Sequence, residues 1–183
     1  ALGHELIGRV LQSPEGSPWK IGQRVAASPY LPCGKCYFCK RDQATLCTDL
    51  YSNSIQPGGL AERVLISEEL AARGLYPVPD SLSDEVAALA EPLACAIKAL
   101  TDSKLKPGDC LLVIGDGPMG LLAASAGRAL GATRAIVAGM TPHRLKLALQ
   151  YFADFAIDVS RCDIRVEIKK LTDGRGADVA IAA

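Results

Sequence analysis

Four cysteines lie close together in the segment CGKCYFCKRDQATLC. Cys33, Cys36, Cys39 and Cys47 are spaced so that they can offer four thiolates to one tetrahedral Zn²⁺. A bacterial iron–sulfur run begins with the same spacing but then requires C-x3-C-P, whereas seven residues intervene here and Thr48 follows the last cysteine. Two disulfides are disfavoured because the sequence has no secretory features. We predict a zinc site, which is structural because four protein ligands leave no open position.

A glycine-rich turn interrupts the apolar segment CLLVIGDGPMGLLAASAGRALGA. Gly115, Gly117 and Gly120 form a G-x-G-x-x-G motif after a predicted strand, and Pro118 and Met119 stand at the start of a predicted helix. The first glycine permits the tight turn, the second admits a pyrophosphate, and the third lets the helix pack close to the strand. The alternative is a glycine-rich turn without a ligand. The context favours a dinucleotide, so all five residues are candidate cofactor contacts.

The carboxylate that normally binds the ribose 2′-hydroxyl should follow about 20 residues later, at the end of the next strand. That place is taken by Gly139. Thr141, His143, Arg144 and Lys146 come next, and cations beside an uncharged position favour a 2′-phosphate, which gives a slight preference for NADP over NAD. Arg144 and Lys146 could instead form only the solvated face of a surface helix.

Composition narrows the classes of partner. Twenty acidic and twenty basic side chains give no net charge, so nothing favours nucleic acid or an anionic membrane surface. No apolar run approaches the roughly 20 residues that span a bilayer, and the first residues, ALGHELIGRV, do not resemble a signal peptide, so we expect a cytoplasmic protein. The isolated Cys95, Cys110 and Cys162 are expected to be core thiols.

Two different patterns of secondary structure must position these residues. Up to about residue 75, short β-rich segments at 6–11, 23–27 and 61–67 alternate with glycine and proline breaks, which indicates a strand-and-loop domain. From about residue 84, apolar strands alternate with helices, which predicts an α/β fold with a parallel, doubly wound sheet. The predicted helices are 84–100, 118–130, 142–152 and 164–171, and the strands are 110–114, 134–138, 155–159 and one that begins after the turn at 174–176.

Several motifs occur in the order seen in one family. GHELIGRV, GQRV, the four-cysteine lobe, GGLAERV, EPLACA and KPGDCLLVIGDGPMG together resemble the zinc-dependent medium-chain alcohol, polyol and threonine dehydrogenases. The resemblance implies a GroES-like catalytic domain over residues 1–90 and a Rossmann domain over residues 91–183. Both ends of the sequence look cut, so both domains are expected to be partial.

The resemblance also implies a catalytic zinc held by His4, Glu5 and Glu91, with a cysteine ligand of the family lying upstream of the sequence. In a regular strand His4 and Glu5 would point to opposite faces, so both can approach one metal only if Gly3 distorts the backbone. Glu91 could instead only open a helix, and His4 could be a surface histidine. Cys95, one helical turn after Glu91, is expected to be core rather than a ligand.

The implied activity is reversible hydride transfer between a secondary alcohol or polyol and NAD(P), with structural and catalytic zinc. The implied partners are a small alcohol or carbonyl substrate and further copies of the full-length protein in a dimer or tetramer. Residues 1–183 alone are expected not to turn over substrate. Two alternatives remain open, namely a zinc-stapled nucleotide-binding module without catalysis and a zinc-free protein of the quinone reductase type.

Overall fold

The computed structural model describes residues 2–183, which divide into two units between Glu91 and Pro92. Each unit has its own sheet. Within the described residues, no helix has both the length and the apolar character needed to cross a membrane.

The sheet of the first unit is antiparallel and has three strands. The strands β1 (Ile7–Arg9), β2 (Arg24–Ala27) and β3 (Leu75–Pro77) lie in that order, with β2 in the centre. The first two match the strands predicted at 6–11 and 23–27, but the strand predicted at 61–67 is wrong. There the chain bends after the Gly58-Gly59 turn, and a single bridge joins Leu65 to Gln56.

A helix that the sequence analysis missed supports this sheet. Helix α1 (Glu68–Arg73) begins after Ser67, whose hydroxyl accepts a hydrogen bond from the backbone N–H of Leu70 at 3.2 Å. Leu70 is fully buried and packs with Leu31 and Ile55 in the core of the first unit. The capping serine followed by two glutamates was the available sequence signal.

The helix predicted over 84–100 is two helices. Helix α2 (Asp84–Ala87) starts after Ser83, which caps it, and helix α3 (Ala90–Asp102) follows after a short break. Because α3 starts at Ala90, Glu91 lies in its first turn, where a carboxylate complements the positive end of the helix dipole.

The sheet of the second unit is entirely parallel. Its strands are β4 (Cys110–Ile114), β5 (Arg134–Gly139), β6 (Phe155–Asp158) and β7 (Val179–Ala182), in the spatial order β6-β5-β4-β7. Its helices are α4 (Pro118–Ala129), α5 (Pro142–Leu147), which continues as a π-helical turn to Phe152, and α6 (Ile164–Leu171). The predicted doubly wound arrangement is confirmed, and its order matches the first four strands of a dinucleotide-binding sheet.

Alternating residues of the central strands fill two cores. Leu111 and Val113 of β4 pack on one face of the sheet, whereas Cys110 and Leu112 pack on the other. Burial on both faces explains why the strand reads as a continuous apolar run. The carboxyl ends of β4 and β5 are therefore positioned by strands that are packed on both faces.

Candidate functional site

The four cysteines of the lobe converge, with sulfur atoms that all lie within 4.8 Å of one another. Sγ of Cys36 and Sγ of Cys39 are 3.5 Å apart. In a tetrahedral site with Zn–S bonds of about 2.3 Å, the sulfurs are about 3.8 Å apart. The cluster thus fits one zinc ion closely. The assignment of Cys33, Cys36, Cys39 and Cys47 as its ligands stays a prediction.

Backbone amides already stabilise negative charge on these sulfurs. The N–H of Cys33 donates to Sγ of Cys47 at 3.3 Å, and the N–H of Cys39 donates to Sγ of Cys36 at 3.5 Å. The amide of Cys39 is the main cause that lowers the pKa of Cys36 to about 6. Burial and the neighbouring Cys36 raise the pKa of Cys39 to about 12. A cation bound among these sulfurs would favour the thiolate form of all four.

A second cluster forms in the same unit from His4, Glu5 and Glu91. One ligand atom from each lies within 4.8 Å of the others, and Nε2 of His4 is 3.8 Å from Oε2 of Glu91. Zinc bonds of about 2.0–2.2 Å place tetrahedral nitrogen and oxygen ligands about 3.4 Å apart. One imidazole and two carboxylates therefore fit zinc, and a set of three leaves a position for a further ligand.

Gly3 allows His4 and Glu5 to approach one point. Its φ of +77° is left-handed, and a Cβ there would lie 2.7 Å from Cγ of Leu60. Hydrogen bonds hold this segment in place, since the N–H of Gly59 donates to the carbonyl of Gly3 at 2.8 Å. Strand β1 begins only at Ile7, so the opposite faces of a regular strand do not separate the two side chains. The distortion that the sequence analysis required at Gly3 is present.

Arg24 anchors the segment that leads to Glu91. Its guanidinium donates to Oδ1 of Asp84 at 2.6 Å and to the carbonyl of Leu82 at 2.8 Å, and its side chain is 14% exposed. The central strand β2 is thereby tied to the start of α2. One turn beyond Glu91, Cys95 is exposed, so the expectation that it is a core thiol is wrong. Of the other isolated cysteines, Cys110 is buried as expected and Cys162 is half-buried.

The glycine-rich turn has the shape that the motif predicts. A Cβ on Gly115, whose φ is +129°, would collide with the carbonyl oxygen of Ala183, and a Cβ on Gly120 would collide with the carbonyl oxygen of Gly115. A Cβ on Gly117 would meet nothing within 4 Å. The protein itself therefore does not require a glycine at position 117, and the open space beside this backbone suits an approaching phosphate. Pro118 and Met119 are exposed at the start of α4.

Asp116, inside this turn, is a residue that the sequence analysis missed. Its side chain reaches the end of β5, where a Cβ on Gly139 would lie 2.5 Å from Oδ2 of Asp116. Oδ2 also accepts a hydrogen bond from the backbone N–H of Thr141 at 2.7 Å. Burial raises the pKa of Asp116, but the backbone and hydroxyl hydrogen bonds from Thr141 outweigh it and hold the pKa below its usual range.

The residues predicted to lie near a 2′-phosphate are at the end of β5 and in the helix that follows it. Gly139 ends β5, and Arg144 lies in α5 with an exposed side chain, as do His143 and Lys146. The structure brings Gly139 to the glycine-rich turn through Asp116 and leaves the three basic side chains in solvent.

Each of the two units of the chain matches a known protein family. Residues 1–80 match the alcohol dehydrogenase GroES-like domain, and residues 118–183 match the zinc-binding dehydrogenase family. These matches and the two observed sheets confirm the predicted fold class, a GroES-like β-rich part followed by a Rossmann sheet.

Curated relatives include sorbitol dehydrogenase from Bacillus subtilis, 36% identical, and erythritol/L-threitol dehydrogenase from Mycolicibacterium smegmatis, 34% identical. Each alignment covers 98% of this chain, and 50% and 51% of the two relatives, so the chain spans about half the length of the relatives that it matches. A zinc-binding dehydrogenase from Sinorhizobium meliloti, solved with NADP, superimposes with a TM-score of 0.84 at 28% identity, over 98% of this chain and 53% of that one. The chain belongs to the zinc-dependent medium-chain dehydrogenase/reductase family.

Proposed function

We propose that the protein carrying this chain is a zinc-dependent oxidoreductase that transfers hydride between a secondary alcohol or polyol and NAD(P). The observation that carries the proposal is the convergence of His4, Glu5 and Glu91 on one point, because this is a ligand set suited to zinc. The relatives named for sorbitol, erythritol and L-threitol make polyols the first substrates to test.

The three residues of this cluster have distinct roles as zinc ligands. His4 offers an imidazole nitrogen, Glu91 offers a carboxylate from the first turn of α3, and Glu5 supplies the third ligand atom. When bound, zinc supplies a Lewis acid that makes a substrate hydroxyl easier to deprotonate. In the oxidising direction the alcohol carbon gives a hydride to nicotinamide C4 and the hydroxyl gives a proton to solvent, which yields a ketone or aldehyde and the reduced cofactor.

The second unit supplies the nucleotide contacts. The backbone at Gly117 admits the pyrophosphate, and the first N–H groups of α4, which have no partner within the helix, can donate to its oxygens. Gly115 and Gly120 keep this turn close to β4. The four cysteines hold the structural zinc and take no part in the reaction.

Steady-state oxidation of a polyol panel tests the proposal. The panel should contain sorbitol, erythritol and L-threitol, with L-threonine and a quinone for comparison. We expect polyol turnover, and we expect His4→Ala and Glu91→Gln each to lower kcat/KM by about a hundredfold or more. Lys98→Ala, which removes an exposed side chain 2.6 Å from Asp102, is the control and should change little.

The two alternatives give different results in this assay. A nucleotide-binding module would bind the cofactor without oxidising any member of the panel. A zinc-free quinone reductase would reduce the quinone equally well with and without His4. The cytoplasmic location and the dimeric or tetrameric state stay predictions.

A further inference from the structure

We infer that Asp116 selects the dinucleotide, because its carboxylate stands in for the acidic side chain missing at Gly139 and so favours NAD over NADP. The inference rests on the proposed function, since it concerns the same nucleotide site. It opposes the preference for NADP that follows from the sequence at Gly139 and Arg144 alone.

The carboxylate of Asp116 lies at the end of β5, next to Gly139. An acidic residue at the end of β5 would start from a Cβ on Gly139, and that atom would lie 2.5 Å from both Cβ and Oδ2 of Asp116. The carboxyl group of Asp116 therefore occupies the space into which such a side chain would extend. The glycine-rich turn, rather than β5, brings the negative charge to this edge of the sheet.

Hydrogen bonds hold this carboxylate in place. Asp116 is only 8% exposed, and it accepts hydrogen bonds from the backbone N–H of Thr141 at 2.7 Å and from the Thr141 hydroxyl at 3.4 Å. A side chain fixed in this way cannot swing aside to admit a phosphate.

The charge of Asp116 disfavours a 2′-phosphate beside it. Asp116 is ionised at neutral pH, because its hydrogen bonds lower its pKa. A 2′-phosphate would meet this buried negative charge at short range, where solvent screens weakly. The basic side chains that could compensate, at His143, Arg144 and Lys146, are exposed, and solvent screens any charge that they carry.

Calorimetric binding of NAD⁺ and NADP⁺ tests the inference without any need for catalysis. We expect the wild-type protein to bind NAD⁺ about tenfold or more tightly than NADP⁺, a difference of about 1.4 kcal/mol. Asp116→Asn keeps an oxygen that can accept from the N–H of Thr141 but removes the charge, so the ratio should fall to within about twofold of unity. AMP and adenosine 2′,5′-bisphosphate should show the same pattern, because they differ only by the 2′-phosphate.

Asp154→Asn is the matched control. Oδ2 of Asp154 accepts a hydrogen bond from the N–H of Ala135 at 2.8 Å, the same kind of bond at the opposite end of β5, so this variant should leave the ratio unchanged. Equal binding of the two dinucleotides by the wild type would overturn the inference alone, as would an unchanged ratio in Asp116→Asn. Failure to bind either dinucleotide would overturn the proposed function and the inference with it.

Discussion

Nε2 of His4 lies 3.8 Å from Oε2 of Glu91, although one residue precedes the first strand of the chain and the other lies in the first turn of α3. Two side chains from such distant parts of the sequence meet only because the backbone on each side is fixed. Gly3 and its contacts fix the first, and Arg24 with its contacts to Asp84 and Leu82 fixes the second. The variants below separate these two supports.

Gly3→Ala should disturb the His4 side of the cluster. The new Cβ would lie 2.7 Å from Cγ of Leu60 in a left-handed conformation, so we expect a loss of about 1–3 kcal/mol in unfolding free energy and weaker zinc binding by His4 and Glu5. Gly8→Ala is the control, because its Cβ would meet nothing within 4 Å. Urea unfolding and zinc content measure both effects. Equal stability of the two variants would contradict this role of Gly3.

Arg24→Met should disturb the Glu91 side. It removes hydrogen bonds to Oδ1 of Asp84 and to the carbonyl of Leu82 while keeping most of the apolar stem, so we expect a cost of about 1–3 kcal/mol. Backbone amides of residues 82–91 should also exchange faster with deuterium. Lys98→Ala, at an exposed i,i+4 pair, should cost about 0.5 kcal/mol or less. Unchanged exchange over residues 82–91 would show that Arg24 does not hold this segment.

Cys47→Ser should remove the structural zinc. Its sulfur belongs to the closed set of four, so we expect one zinc ion fewer per chain by elemental analysis, with local unfolding of the lobe around residues 33–47. Cys162→Ser is the control, because the thiol of Cys162 donates to the carbonyl of Asp158 at 3.1 Å and a serine hydroxyl can do the same. Iron in place of zinc, or full zinc content in Cys47→Ser, would refute the assignment.

Substitutions at two glycines of the proposed nucleotide site should change different properties, namely dinucleotide binding for one and stability for the other. Gly117→Ser should leave stability nearly unchanged, because its Cβ has open space and serine is a good N-cap, yet it should weaken dinucleotide binding. Gly139→Ala should lower stability by about 1–3 kcal/mol, because its Cβ would lie 2.5 Å from Oδ2 of Asp116. Thermal unfolding and calorimetric titration with NAD⁺ distinguish the two. Unweakened binding in Gly117→Ser would contradict a phosphate beside this turn.

The sequence predicts best those features whose residues are close together along the chain. The cysteine lobe closes within fifteen residues, and the strands β4 and β5 are apolar runs bounded by turns, so spacing and pattern were sufficient. The segment 61–67 was assigned wrongly as a strand because its apolar residues follow a glycine turn and make only one bridge, at Leu65. Helix 84–100 was predicted as one element because nothing but Ser83 and the following acidic residues marks the first short helix.

The metal and nucleotide sites depend on contacts between distant residues, which pattern alone does not give. His4 and Glu91 could be paired only through resemblance to a family. Asp116 is not predicted from the sequence, because the acidic residue of such sites is expected at the end of the next strand. In this chain the carboxylate at that place comes from the glycine-rich turn. The available signal was the combination of an aspartate within G-x-G-x-x-G and a glycine at position 139.

We propose that His4, Glu5 and Glu91 hold the zinc on which alcohol oxidation depends, and a zinc titration distinguishes this zinc ion from that of the cysteine lobe. The protein carrying this chain would be stripped of metal, zinc returned stepwise, and bound zinc and polyol oxidation measured on the same samples. We expect the wild type to bind two zinc ions per chain and its activity to rise as the His4 cluster fills, and we expect His4→Ala to retain the zinc of the cysteine lobe without activity. Full activity of His4→Ala, with only the zinc of the cysteine lobe bound, would show that alcohol oxidation does not depend on a zinc ion at His4.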